Sequence, residues 1–275
     1  MKNNPVIEFD NIHFGYVKDT PILKGVNFKI YPNEYVCIIG HNGSGKSTIS
    51  KILAGLLKPQ SGEIRLFGEK IDAGNVKHLR NKIGIVFQNP DNQFVGLTVE
   101  DDIAFGLENR KVPSDKMPKI IELSVEAIGI TNLLKKEPSE LSGGQKQKVA
   151  IAGILAINPD VVIFDESTSM LDPKGKKELK ELILNLKKFT GKTIISITHD
   201  MEEVINADKV IMINSGVVHA IGSPEDVFLK QSQLEKMKLD YPFIFKLCKE
   251  LNGHGINIKP TLYEKDFLNQ WKQKK

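Results

Sequence analysis

The stretch Tyr35-Val36-Cys37-Ile38-Ile39-Gly40-His41-Asn42-Gly43-Ser44-Gly45-Lys46-Ser47-Thr48 governs the architecture of this 275-residue chain. Its first five residues are an unbroken apolar run ending at a glycine, which marks a strand buried on both faces. Gly40 to Thr48 then read G-x-x-x-x-G-K-[ST], a pattern that average residue usage produces by chance in roughly one chain in a hundred of this length. The glycines let backbone N–H groups approach phosphate oxygens, and a helix expected over residues 47–57 turns the positive end of its dipole to the same anion. Gly40, His41, Asn42, Gly43, Ser44, Gly45, Lys46, Ser47 and Thr48 are therefore the expected phosphate cradle of a nucleotide. Lys46 is placed to meet the β- and γ-phosphates and the Ser47 hydroxyl to ligate Mg²⁺.

About a hundred residues on, Leu141-Ser142-Gly143-Gly144-Gln145 precedes a helical run over 146–157 and supplies a second nest of N–H donors at a helix start. One nucleotide hardly needs two nests from one chain. A head-to-tail pair resolves this, with the second motif of one subunit closing over the nucleotide held by the other. Between these halves in function stands Val161-Val162-Ile163-Phe164-Asp165-Glu166, a buried run ending in two carboxylates. Ionised groups there are costly unless they meet a cation or donors. Asp165 suits an acid linked to Mg²⁺, and Glu166 suits a carboxylate that orients the water attacking the γ-phosphate.

The remaining pattern organises around this sheet. Residues 6–16 and 22–30 alternate apolar and polar as antiparallel strands do. Residues 83–87 and 193–198 are further buried runs, each ending in polar residues at the edge where open parallel sheets bind ligands. Helical periods occupy much of 89–159, clearest over 99–108 and 120–128, and read as an inserted helical subdomain. A hairpin is expected over 210–221 with its turn at Asn214-Ser215-Gly216, followed by helix over 224–229. The expected division is a nucleotide-binding domain over 1–230 and a mostly helical extension over 231–275.

Composition is that of an ordinary globular protein, 40% hydrophobic and 26% charged. The 38 basic and 34 acidic residues leave a net charge of +4, too balanced for an electrostatic footprint on nucleic acid, and Lys272, Lys274 and Lys275 read as a solvated tail. The longest apolar stretch, 149–157, is nine residues against the ~18–20 that cross a bilayer, and no leader-like h-region follows Met1. The chain is thus expected in the cytosol, reaching a membrane only through a partner. Cys37 and Cys248 have no metal-like spacing and are expected as reduced, buried thiols.

Phosphate loop, Gln88 after a buried run, Leu141 to Gln145, Asp165-Glu166, Ser169-Met170-Leu171-Asp172 and His199 occur in the order of the ATP-binding cassette superfamily, which the chain resembles over residues 5–230. The resemblance implies an α/β fold. It comprises a P-loop NTPase (RecA-like) core, an N-terminal antiparallel β-subdomain, an inserted α-helical subdomain and a small C-terminal helical extension. It further implies ATP and Mg²⁺, with Tyr16 stacking on adenine, Gln88 touching Mg²⁺ and the attacking water, and His199 contacting the γ-phosphate. Ser47, Gln88 and Asp165 become the Mg²⁺ ligands, Glu166 and His199 the catalytic pair, and Asp172 the acid facing the opposite subunit. Tyr16 as an ordinary strand core residue is the competing reading.

Phe87-Gln88-Asn89-Pro90-Asp91-Asn92-Gln93-Phe94 with Thr98 to Gly106 is similar to the ATPases of energy-coupling-factor transporters, and Asp165 to Pro173 to the first of the two homologous ATPases such systems carry. That resemblance implies an ATPase driving import of vitamins or metal ions at the cytoplasmic face of the cell membrane. Its partners are a second homologous ATPase (another copy of this chain remaining open), a transmembrane coupling subunit and exchangeable membrane substrate-binding proteins, with no nucleic acid. Phe94 is either the aromatic that anchors a short helix of the membrane subunit or ordinary core. Residues 241–245 and 262–271 suit either an interface between the two ATPases or a satellite core. A soluble cassette ATPase acting on nucleic acid or the ribosome, or on cluster assembly, is the rival class. Against it, each motif occurs once and the insert between Gln88 and Ser142 lacks heptads.

Overall fold

The computed structural model describes residues 4–17, 19–169, 171–229 and 239–273. The alternation near the N-terminus becomes two antiparallel strands, β1 (Ile7–Phe14) and β2 (Leu23–Ile30), whose Phe9 and Phe28 rings stack with centroids 4.4 Å apart. β4 (Ser61–Leu66) pairs with the other edge of β1, and the short β5 (Glu69–Lys70) completes a sheet of order β2-β1-β4-β5. Gly62 sits where β1 changes register. With φ of 90°, any Cβ there would lie 2.3 Å from the Asn11 carbonyl oxygen, so glycine alone fits.

The apolar runs build the second sheet. β3 (Tyr35–Ile39), β6 (Ile83–Val86), β7 (Val161–Asp165), β8 (Thr193–Ile197) and β9 (Lys209–Asn214) are parallel, and β10 (Val217–Gly222) closes one edge antiparallel to β9. The order is β10-β9-β3-β8-β7-β6. Every residue of β3, β7 and β8 is buried, as strands covered on both faces must be. Their side chains divide alternately between two cores. Tyr35, Cys37, Ile39, Val162 and Phe164 enter one, while Val36, Ile38, Val161 and Ile163 enter the other with Phe9, Ile49 and Ile52.

The second of these cores lies beneath the antiparallel sheet and α1 (Lys46–Leu53). α1 stops short of the expected residue 57 because Gly55 turns left-handed, φ 65°. The first core is walled by helices. α3 (Val99–Asn109), α4 (Met117–Ile128) and α5 (Gly143–Ala156) lie in the chain between β6 and β7, whereas α2 (Val76–Arg80), which precedes β6, buries its Leu79 in the other core. α6 (Pro173–Thr190) connects β7 to β8 and buries Leu179, Ile183 and Leu186, a stripe at helical spacing under a lysine-rich outer face. The turn α7 (Met201–Val204) leads from β8 into β9, and α8 (Pro224–Phe228) follows β10.

The C-terminal segment forms α9 (Phe243–Gly253) and α10 (Glu264–Lys272) around a small core of Cys248, Ile258 and Phe267. Leu239, Tyr241, Phe245 and Leu262 instead pack on the main core, so the segment has a satellite core and is also fastened to the body. Both cysteines are buried free thiols. Among the described residues no helix is long and apolar enough to cross a membrane. Met170, Lys274, Lys275 and residues 230–238 lie outside the described residues.

Because β3, β6, β7 and β8 run parallel, their carboxyl ends share one sheet edge. Gly40, Gln88, Glu166 and His199 each lie just beyond one of them.

Candidate nucleotide site

The loop after β3 is built tightly from below and left open above. A Cβ on Gly40 would lie 2.3 Å from the Ile213 carbonyl oxygen, whereas one on Gly43 (φ 82°) would meet nothing within 4 Å. Gly45 precedes α1 as its N-cap with no side-chain cap, and the first turn holds no acidic residue, so the leading N–H groups and positive end of α1 face the loop. This arrangement suits a phosphate.

Lys46 is buried, and its Nζ donates to the carbonyl oxygens of Gly40 (2.9 Å) and His41 (3.2 Å). Glu166 Oε1 stands 3.7 Å from that ammonium, and the other oxygen, Oε2, stands 4.0 Å from His199 Nδ1. Burial holds the Lys46 ammonium below the usual lysine range, opposed by the charges of Glu166 and Asp165. Asp165 is buried at the end of β7, and burial raises its carboxyl, opposed by the Ser50 hydroxyl facing it.

Glu166 is held in the left-handed region at φ 51°. That conformation costs a non-glycine residue about 1–2 kcal/mol. It persists because the Glu166 N–H donates to the Ile197 oxygen (2.8 Å) while its own oxygen accepts from Ser169 N (3.0 Å) and Oγ (2.8 Å).

Gln88, Ser47 and Glu166 line one cleft of about 390 Å³ with the phosphate loop. The oxygens of Ser47, Asp165 and Gln88 are the hard donors Mg²⁺ takes. Among the described residues no group of three or more His, Cys, Asp or Glu is placed to cage a metal. A single carboxylate completed by phosphates and water is the usual Mg²⁺ arrangement at a nucleotide, so the donor set fits. Tyr16 lies just past β1, 55% exposed, with its ring edge-on to Phe14 (5.0 Å) and Lys51 of α1 5.9 Å from it. Its reading as a strand core residue is thereby overturned.

The second motif lies elsewhere. Ser142 caps α5 and exchanges hydrogen bonds with Gln145, Ser142 N to Oε1 at 2.9 Å and Gln145 N to Oγ at 3.4 Å. Leu141 is buried beneath it, and Gly143 and Gly144 leave space where side chains would stand. Ser142, Gly144, Gln145 and Asp172 line a separate cleft of about 600 Å³ that contains no residue of the phosphate loop. Asp172 caps α6 through the Gly175 N–H at 2.8 Å. Two groups therefore form: Gly40 to Thr48 with Gln88, Asp165, Glu166 and His199, and Leu141 to Gln145 with Asp172.

Two residues not singled out in the sequence hold the Gln88 loop. Gln93 Oε1 accepts from Phe87 N and its Nε2 donates to Ile85 O, both at 3.1 Å, extending the edge strand β6 by a side chain. Lys146 reaches from α5 to Asp91 at 2.6 Å. The only sequence signal was a glutamine in a polar loop. Phe94 is half-buried against the main core, with Val95 (65% exposed) and Leu97 (83% exposed) standing beside it in solvent.

Sheet order, cradle and paired carboxylates are those of an ATP-binding cassette, and the ABC transporter family profile matches residues 23–169. The chain belongs to this family, within its energy-coupling factor transporter ATP-binding proteins. Over 264 residues it is 63% identical to the energy-coupling factor transporter ATP-binding protein EcfA1 of Ureaplasma parvum serovar 3, covering 96% of this chain and 90% of that one. It is 54% identical to EcfA of Malacoplasma penetrans, over 98% and 93% of the two chains. Among solved structures, cbiO1 of Clostridium perfringens, part of the ABC transporter complex cbiONQ, superposes with a TM-score of 0.78 at 37% identity, covering 93% of this chain and 100% of that one. A dimeric post-hydrolysis state of the ATP-binding cassette MJ0796, bound to ADP and Pi, gives 0.71 at 29% identity over 79% and 98%.

Proposed function

We propose that this chain is the ATP-binding and hydrolysing subunit of an energy-coupling factor importer, working as one of two cassettes that share two ATP molecules. The observation that carries the pairing is the separation of its two phosphate-handling surfaces into different clefts. Each is half a site, and a head-to-tail partner supplies the missing half. The fold and family support a partner ATPase and membrane components; that the partner is a homologous second ATPase, and that exchangeable membrane proteins bind vitamins or metal ions, are the finer parts of the proposal.

In this mechanism the Gly40 to Thr48 backbone cradles the triphosphate, and Tyr16 stacks on adenine. Lys46 leaves the Gly40 and His41 carbonyls for the β- and γ-phosphates. Ser47, Asp165 and Gln88 would hold Mg²⁺, which neutralises charge on the phosphate oxygens. Glu166 accepts a hydrogen bond from the attacking water and aligns it, and His199 contacts the γ-phosphate from the neighbouring strand end. The Ser142-Gly143-Gly144 nest closes over the partner's nucleotide, with Asp172 beside it. Movement reaches the membrane protein through the surface from Gln88 to Phe94, and residues 231–275 contribute to contact between the two ATPases.

Purification from its own membranes in mild detergent tests the assignment. A second cassette chain and integral membrane proteins are expected with it; ribosomes or a soluble assembly in their place would contradict it.

A further inference from the structure

His199 lies between β8 and the single turn α7, and that turn carries a buried acid. Glu203 is 2% exposed. Its Oε1 accepts from Tyr35 Oη of β3 at 3.2 Å and from Ser196 Oγ of β8. Burial pushes its carboxyl up, opposed by the Ser196 and Thr198 hydroxyls. These partners are all hydroxyls, so the acid is not there as half of an ion pair. A buried carboxyl needs some return for its desolvation.

The geometry supplies a reason. Tyr35 begins β3, whose other end opens into the phosphate loop, and Ser196 lies three residues before His199. Glu203 thus joins the two strands that present Lys46 and His199 to the turn that follows His199. Thr198 Oγ1 accepts the Asp200 N–H at 3.0 Å, and Asp200 pairs with Lys180 of α6 at 2.7 Å. Glu202 Oε1 accepts the Phe243 N–H of α9 at 2.6 Å. The Glu202 tie is at the surface and the Asp200–Lys180 pair is half-buried. Glu203 is the buried one.

We propose that Glu203 is a positioning residue for His199, fixing through Tyr35 and Ser196 the turn that aims the imidazole at Glu166 and the γ-phosphate. The inference rests on the assignment of His199 to the γ-phosphate. Its role is to hold a loop in place, and it touches no reacting atom.

The test is steady-state ATP hydrolysis by the full-length chain in its assembled transporter, comparing Glu203→Ala, Glu203→Gln, His199→Ala and the double variant His199→Ala/Glu203→Ala. Glu203→Ala is expected to lower kcat about 10-fold with KM for ATP within about 2-fold. Glu203→Gln, which keeps an acceptor oxygen, should return to within about 3-fold of the unsubstituted protein. The double variant should be no more than about 2-fold slower than His199→Ala alone, because a residue acting through His199 has nothing left to position. Multiplicative losses in the double variant, or unchanged kcat in Glu203→Ala, would overturn the inference while leaving His199 its role. Normal turnover by His199→Ala would overturn that role and the inference with it. Should Glu203→Ala fail to fold, Ser196→Ala and Tyr35→Phe each remove one donor, and the same comparison with His199→Ala decides.

Discussion

Lys46 Nζ and Glu166 Oε1 face each other 3.7 Å apart across the carboxyl edge of the central sheet, one from the helix after β3 and one from the end of β7. The separation exceeds a hydrogen bond, and the ammonium is instead held by the Gly40 and His41 carbonyls. A loose ion pair of this kind leaves the ammonium able to turn to a phosphate and the carboxylate able to turn to a water. Lys46→Ala should therefore abolish ATP binding, read by equilibrium binding of a fluorescent ATP analogue; retained affinity would remove Lys46 from the cradle.

Glu166 has a different dependence. Glu166→Gln keeps size and backbone but loses the negative charge that polarises the attacking water, so ATP affinity should persist while turnover falls by at least ~10²-fold. Steady-state hydrolysis in the assembled transporter checks this, and near-normal turnover would deny Glu166 its assigned task.

Phe94 is anchored in the core on one side and continues into Val95 and Leu97 on the other. The apolar surface beside the Gln88 loop suits a short helix of the membrane protein. Phe94→Ala is expected to weaken recovery of that protein in a pull-down without changing ATP affinity. Equal recovery would sink the coupling role.

Glu203 also predicts a pH effect on stability. Burial raises its carboxyl in the folded state, so the folded chain keeps a proton that the unfolded chain releases. The associated stability is fully present below the ordinary glutamate range and is lost as pH rises through the folded value. Glu203→Gln has no such proton, so its Tm relative to the unsubstituted chain should rise as pH increases. A constant difference in Tm across that range would count against the buried acid.

The sheet and the cradle were legible because their signals are local: apolar runs ending in Gly40, Gln88, Asp165-Glu166 and His199 give strands and the edge they share. β4 escaped notice because only Ile64 and Leu66 of Ser61 to Leu66 are buried apolar residues, and α6 because lysines mask its stripe of Leu179, Ile183 and Leu186. The left-handed backbone of Glu166 has no signal in its residue type, since it is imposed by Ile197 and Ser169. Tyr35 and Glu203 are 168 residues apart in the chain, and only the β3–β8 pairing brings them together. Long-range placement of this kind follows from packing and not from any local pattern.

Shared sites are the centre of the account, and sedimentation of the Glu166→Gln chain with saturating ATP, alone and with the second ATPase of its transporter, tests them most directly. The expected result is an ATP-dependent dimer in at least one of the two mixtures, lost when Ser142→Arg blocks the second motif although that variant still binds ATP. A chain that stays monomeric with ATP in both mixtures, or a Ser142→Arg variant that dimerises as before, would contradict it.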